Sequence, residues 1–431
     1  MSNWIIENIG ALANTYAGGT PSRSNQEYFK GDIPWISSGE VNQSKIQDTQ
    51  EKITEEALKN SSAKWIPKNS ILVAMYGATA GQVSTNLIDA TSNQAVLALI
   101  PYKDKIENEF LYYSLSYNKH SILFLTQGTG QPNLSKGLID DFSIRLPESL
   151  SEQRHIAKIL STADAVIEKT QAAIAKYKAI KQGMLQDLFT RGIDVQTGKL
   201  RPRYEDAPDL YKKSKLGWIP REWVVEIVDD IAKVNGRVGW KGYTVADLRD
   251  FGPLALGATH IDKENKLDLT NPIHLSMEKY IESPEIMVQF GDLLIVQRGT
   301  IGKIVVVDKQ IGEATINPSM VLLNRIRINN FFLYYQLCSF IGQLQIELLT
   351  TQTGVPMISQ EQIKNINLIV PKNPKETDAI AERLKNIDSI LENEKSYLLK
   401  MQSLKKGLME DLLSGKKQVK ATEELITQNE N

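Results

Sequence analysis

Two groups of short segments hold most of the side chains in this 431-residue chain that can hydrogen-bond directionally from a turn. In the first half these are Tyr76-Gly77-Ala78-Thr79, Ser92-Asn93-Gln94 and Thr126-Gln127-Gly128-Thr129-Gly130-Gln131. In the second half they are Gln297-Arg298-Gly299-Thr300, Thr315-Ile316-Asn317 and Thr350-Thr351-Gln352-Thr353-Gly354. Amides and hydroxyls offer donor and acceptor together, which is what contact with the edge of a nucleobase requires. Arg298 suits a guanine taken bidentately, and Gln94 or Gln297 an adenine. Arg237, Lys241 and Lys303 suit phosphate, since a point charge positions without specifying sequence. The expected contact set is Tyr76, Gly77, Thr79, Asn93, Gln94, Gln127, Thr129 and Gln131 in the first half. In the second half it is Arg237, Lys241, Gln297, Arg298, Thr300, Lys303, Asn317, Gln352 and Thr353. Any one of these residues also reads as an ordinary polar turn, so the loops carry more weight than single positions.

Other chemistries find no residues to carry them. The one cysteine, Cys338, gives neither an internal disulfide nor a cysteine-based zinc site. His120, His155, His260 and His274 are scattered, without the spacing of a metal-binding helix. Gly299-Thr300-Ile301-Gly302-Lys303 has the wrong spacing for a phosphate-binding loop, and there is no GxGxxG. Asn317-Pro318-Ser319 lacks the second proline and the aromatic of an adenine-methylase run. No metal site, cofactor or catalytic set is therefore expected. A net charge of −1 argues against non-specific binding to polyanions. DNA contact would have to come from local basic patches or partner subunits. There is no signal-peptide pattern at the start and no apolar run of spanning length, so a cytoplasmic protein is expected.

The elements that must position these loops occur twice. Gly130 to Ser135 resembles Gly354 to Ser359, 224 residues later. Pro147 and Pro371 keep that offset, as do Asp164 and Asp388. So do Gly183-Met184-Leu185-Gln186-Asp187-Leu188 and Gly407-Leu408-Met409-Glu410-Asp411-Leu412. With small gaps, Trp4 answers Trp223, Gly77 answers Gly299, and Asn93 answers Asn317. Each copy opens with a head of short β-like runs broken by turn residues. Ser70 to Met75, Gln94 to Ile100, Asp292 to Val296 and Met320 to Ile326 read as strands. Short helices are expected at Phe110 to Ser116 and Phe331 to Ile341.

Each copy closes with a long helix carrying a 3.5-residue apolar seam. The first seam reads Ile156, Leu160, Ala163, Ile167, Thr170, Ile174, Tyr177, Lys181, Met184, Leu188. The second reads Ile380, Leu384, Ile387, Leu391, Glu394, Leu398, Met401, Lys405, Leu408, Leu412. The matched registers favour packing of the helices on each other over separate burial on their own heads. A parallel pair would set Lys181 against Lys405 in a partly dry seam, at a cost in like-charge repulsion. An antiparallel pair would place them at opposite ends, where each can snorkel to water.

The expected fold is mixed α+β: two similar globular heads separated by an antiparallel coiled coil, pseudo-twofold. The heads span 1–150 and 217–373, and the helical regions 151–190 and 374–416. Residues 191–216 read as a linker and 417–431 as a flexible tail. Helices of about 35–40 residues are roughly 55–60 Å long, on the order of 17 base pairs of B-DNA. That suits two short half-sites around an unread gap.

Several runs resemble the specificity subunit of type I restriction–modification enzymes. Gly19-Thr20-Pro21-Ser22 followed by Tyr28-Phe29-Lys30-Gly31-Asp32-Ile33-Pro34-Trp35 is similar to its opening signature. Leu146-Pro147 with Glu152-Gln153-Arg154-His155-Ile156-Ala157 resembles the start of its first helical region, and Lys181 to Thr190 its end. Gly217-Trp218-Ile219-Pro220 with Glu222-Trp223 looks like the opening of a second recognition domain. The second copy departs: it lacks the Gly-Thr-Pro-Ser run, and Pro374-Lys375-Glu376-Thr377 stands where Glu-Gln-Arg would. The resemblance covers the chain to about residue 415. It implies two target recognition domains reading a bipartite DNA site, and recruitment of two modification (methyltransferase) subunits and of restriction subunits. It implies that ATP, Mg²⁺ and the methyl donor bind those partners. The competing expectation is a coiled-coil adaptor with two peptide-binding heads.

Overall fold

The computed structural model describes residues 3–126, 133–237, 242–351 and 354–419. The chain divides into two compact units, 1–172 with 396–431 and 173–395. The division cuts both long helices, Leu150–Thr190 and Pro374–Leu413, near their middles. Each unit therefore holds one head, the half-helix that follows it, and a half of the other helix. The serial order of head, helix, head, helix expected from the sequence is regrouped because the helices run antiparallel.

The packing in each unit gives that direction. In the first unit Ile156, Ala157 and Leu160 share a core with Leu408, Met409, Leu412 and Leu413. In the second unit Met184, Leu188 and Phe189 share one with Ile380, Ala381 and Leu384. The start of each helix thus meets the end of the other. Every residue of both seams is buried or partly buried, which fits a continuous apolar stripe.

The heads share a frame. In the first, strand Trp4–Asn8 pairs antiparallel with Ser143–Pro147, Trp4 opposite Pro147. In the second, Trp223–Ile227 pairs in the same way with Asn367–Pro371, Trp223 opposite Pro371. A central sheet follows in each. In the first head its order is Ala13–Ala17, Val96–Pro101, Ile71–Ala74, Val83–Asn86 and Lys45–Ile46. In the second it is Lys233–Gly236, Met320–Asn324, Leu293–Val296 and Ile304–Val306. Ile71–Ala74 and Leu293–Val296 are buried at every position, as short apolar runs covered on both faces should be. A small side sheet completes each head, with Ile33–Ile36 parallel to Thr91–Ser92 and Leu248–Leu256 parallel to Ala314–Ile316.

Helices Asn108–Tyr117 and Asn330–Cys338 pack under these sheets. The motif around Ser135 and Ser359 is a helix start. Each hydroxyl accepts the backbone N–H three residues on, from Leu138 and Gln362.

Residues 191–216 are not a loose linker. Strand Tyr211–Ser214 pairs with Gly217–Pro220, and Ile193 is buried in the second unit's core. Arg201 forms a double hydrogen bond with the buried carboxylate of Glu376. Apolar residues at wide spacing inside a polar stretch hid this packing from composition. Of the expected tail, residues 420–431 lie outside the described residues.

Candidate nucleic-acid interface

The loop after the central buried strand begins in the same way in both heads. Tyr76 forms an antiparallel bridge with Asn133, and Arg298 forms one with Met357. Leu134 N–H donates to the Met75 carbonyl (2.9 Å), and Ile358 N–H to the Gln297 carbonyl (3.0 Å). The next residues, Gly77 and Gly299, have φ of +76° and +91°. A Cβ at either would meet nothing within 4 Å, so the backbone angle, not crowding, explains the glycine. Tyr76 and Arg298 thus hold one framework position with different side chains, and both are exposed. Among the described residues the Arg298 guanidinium has only the Met357 sulfur at 3.5 Å. Thr300 and Gln94 are also exposed and Thr79 partly so. The Thr20 hydroxyl donates to Gln94 Oε1.

Other expected contacts are occupied in building the frame. Asn93 and Asn317 are turn formers. Their side-chain carbonyls accept the N–H of Ala95 (3.1 Å) and Ser319 (2.8 Å), and their own N–H groups donate to Ile36 and Leu256. The Gln297 amide donates to the carbonyl of Pro318 at 2.9 Å. The Lys303 ammonium donates to the Ile261 carbonyl at 2.8 Å. Arg237 is buried at 4% exposure, bonded to the Ile316 carbonyl (2.9 Å) and the Thr315 hydroxyl (3.0 Å). Burial holds its guanidinium below the usual arginine range. All five are thus tied to the protein by their side chains, Arg237 buried and the other four partly exposed. Turn residues and base-reading residues share a composition, which is why sequence did not separate them. Gln127, Thr129, Gln131, Lys241, Gln352 and Thr353 lie outside the described residues.

A polar network fixes each head to its stalk. Tyr113 donates to Asp164 (2.8 Å), which also pairs with Lys405 of the facing helix. Tyr335 donates to Asp388 (2.7 Å), which pairs with Lys181. Burial and the adjacent carboxylate push both phenols up, so each stays a donor. The seam lysines therefore do not snorkel freely; each meets an aspartate across the helix pair. The signal was present in the shared 224-residue offset of the aspartates and the lysines. The tyrosines were missed because a gap sets them 222 apart.

Among the described residues no group of acids, histidines and cysteine is arranged to hold a metal ion, and no helix is long and apolar enough to cross a membrane.

Residues 1–177 and 247–401 match the family described as Type I restriction modification DNA specificity domain. The chain is 27% identical over 425 residues to the type I restriction enzyme MjaVIII specificity subunit of Methanocaldococcus jannaschii, covering 97% of this chain and 94% of that one. It is 28% identical to the putative MjaX specificity subunit of the same organism, over 75% of this chain and 72% of the other. The crystal structure of the type I restriction–modification S subunit from M. genitalium superposes with a TM-score of 0.60 at 16% identity, covering 96% of each chain.

Proposed function

Since this chain belongs to the family of type I restriction modification DNA specificity domains, we propose that each of its two heads reads one half of a bipartite duplex-DNA target. The chain is a recognition subunit. The chemistry lies on its partners: two modification subunits with the methyl donor, and restriction subunits with ATP and Mg²⁺. In this reading the complex works in the cytoplasm, where the host DNA is.

The observation that carries the reading is one frame used twice with unlike side chains at the same place. A shared scaffold with Tyr76 in one copy and Arg298 in the other is what two different half-sites require. Arg298 is an exposed guanidinium with no described acid beside it, the state suited to the O6 and N7 of guanine. Tyr76 offers a ring for a thymine methyl and one hydroxyl. The long helices, 41 and 40 residues each, would set the gap between half-sites.

The test exchanges the two positions. The double variant Tyr76→Arg, Arg298→Tyr is assembled with its modification subunits and its methylated motif is mapped. The expected outcome is a changed base in each half-site with the gap unchanged. An unaltered motif would remove these positions from base reading.

A further inference from the structure

The opening run of the first head braces one of its polar turns. Gly18 N–H donates to the Val96 carbonyl (3.1 Å) and Gly19 N–H to the Ser92 carbonyl (2.8 Å). A Cβ at Gly18 would stand 2.2–2.5 Å from atoms of Ser92 and Asn93, and one at Gly19 2.2–2.3 Å from atoms of Ser62 and Ala63. Only glycine lets the run lie this close. The buried Trp35 indole donates to the Gly19 carbonyl at 3.0 Å and fixes it there. Thr20 follows directly, and its hydroxyl donates to Gln94 Oε1. Gln94 is exposed beside the Tyr76 loop, since the Met75 N–H donates to the Ala95 carbonyl at 2.8 Å. Among the described residues the amide N–H₂ of Gln94 has no partner.

The second head lacks both parts. Strand registers match Ala17 to Gly236 through their partners Leu97 and Val321. The next residue is Gly18 in one head and Arg237 in the other, whose guanidinium holds the Ile316 carbonyl and the Thr315 hydroxyl. Where the first head has Gln94 after Asn93, the second has Pro318 after Asn317, with no side-chain amide to present. Brace and glutamine occur together in the first head and are both missing from the second. That ties the Gly-Thr-Pro-Ser run to the work of Gln94, not to the frame that both heads share.

We propose that Thr20 is a positioning residue: it holds Gln94 by its carbonyl and leaves the N–H₂ to meet DNA, so that the first head selects a keto base, guanine or thymine, at one position. This rests on the reading of DNA by the heads proposed above. Guanine O6 and thymine O4 accept a hydrogen bond in the major groove, where adenine N6 and cytosine N4 donate one. Adenine, which the residue type alone suits, needs the glutamine carbonyl and N–H₂ together in the plane of the base. A carbonyl tied to Thr20 is not free to take that pose. With the amide so held, an adenine or cytosine sets donor against donor and leaves both without an acceptor.

The test takes the chain assembled with its modification subunits and measures competition by duplexes that carry each base in turn at every position of the target. Gln94→Ala identifies the position, because preference there should be lost. At that position the unaltered complex should favour guanine or thymine over adenine and cytosine by ~10-fold. Thr20→Val removes the hydroxyl and should admit adenine there, with the other positions and thermal stability unchanged. Thr20→Ser keeps the hydroxyl and should keep the original preference. A packing role predicts the opposite order, since valine retains both branches of the side chain and serine loses one. Adenine or cytosine preferred by the unaltered complex at that position, or a Thr20→Val preference identical to the original, overturns the proposal. So does a Gln94→Ala complex unchanged at every position. If the exchange of Tyr76 and Arg298 still alters the motif in that case, the heads read DNA without Gln94; if it does not, the reading by the heads falls as well.

Discussion

At the scale of a residue, the proposed reading positions Tyr76 and Arg298 can be compared directly, because the frame that holds them is shared. The bridge, the positive-φ glycine and the buried strand beneath are common to both. A truncation at Arg298 should therefore act on binding alone. Arg298→Ala is expected to weaken binding to the cognate site by about 1–3 kcal/mol and to relax preference at one base, with thermal stability unchanged. Competition binding with singly substituted duplexes checks this. Arg237→Ala should do the reverse. It removes the donor to the Ile316 carbonyl and to the Thr315 hydroxyl, which keeps only its own bond to the Ile286 carbonyl, and should lower stability by about 1–3 kcal/mol. Asp292 gives a pH-dependent case. Burial pushes its carboxyl up to about 6, while the Gln289 N–H bond opposes this. The folded value lies above the unfolded one of about 4, so the charged form is penalised in the fold. Stability should rise as pH falls from 7 to 4, and Asp292→Asn should gain about 1–2 kcal/mol at pH 7.5 and nothing at pH 4. Urea unfolding at the two pH values measures it.

At the scale of the element, the helix seam was legible in sequence and its polar partners were not. A 3.5-residue repeat over ten positions reports a stripe directly, since periodicity is a property of one helix. The stripe's partner emerges only from the match of two registers. The Tyr113–Asp164–Lys405 and Tyr335–Asp388–Lys181 networks join a head helix to both long helices, so no local pattern announces them. The same reasoning explains residues 191–216. Their composition is that of a linker, yet Ile193 is buried with distant chain, Arg201 pairs with Glu376, and Tyr211 is buried and donates to the Pro202 carbonyl. Asp164→Ala and Asp388→Ala should each cost about 2–3 kcal/mol, because a lysine and a phenol lose a shared acceptor. With the networks in different units and sharing no residue, the two losses should add within about 0.5 kcal/mol in urea unfolding.

At the scale of the whole molecule the duplication governs. The 224-residue offset revealed the two heads and the matched helix seams, since repeats announce themselves before any element is assigned, and the lysines within those seams pointed to an antiparallel pair. It also marked Asn93 and Asn317 as equivalent, and both form the same turn in their heads. Positions alike in both copies build the frame; in the proposed function, reading falls to positions unlike within it. If the long helices set the distance between half-sites, one heptad inserted into each should lengthen the tolerated gap by about 3 base pairs and leave both half-sites unchanged. The most direct test of twin reading heads is a map of methylated bases in a genome carrying this chain and its modification subunits. One motif of two unlike short halves at a constant gap is expected, with exchange of a single head altering only one half. A single continuous motif, or a head exchange that alters both halves, would contradict it.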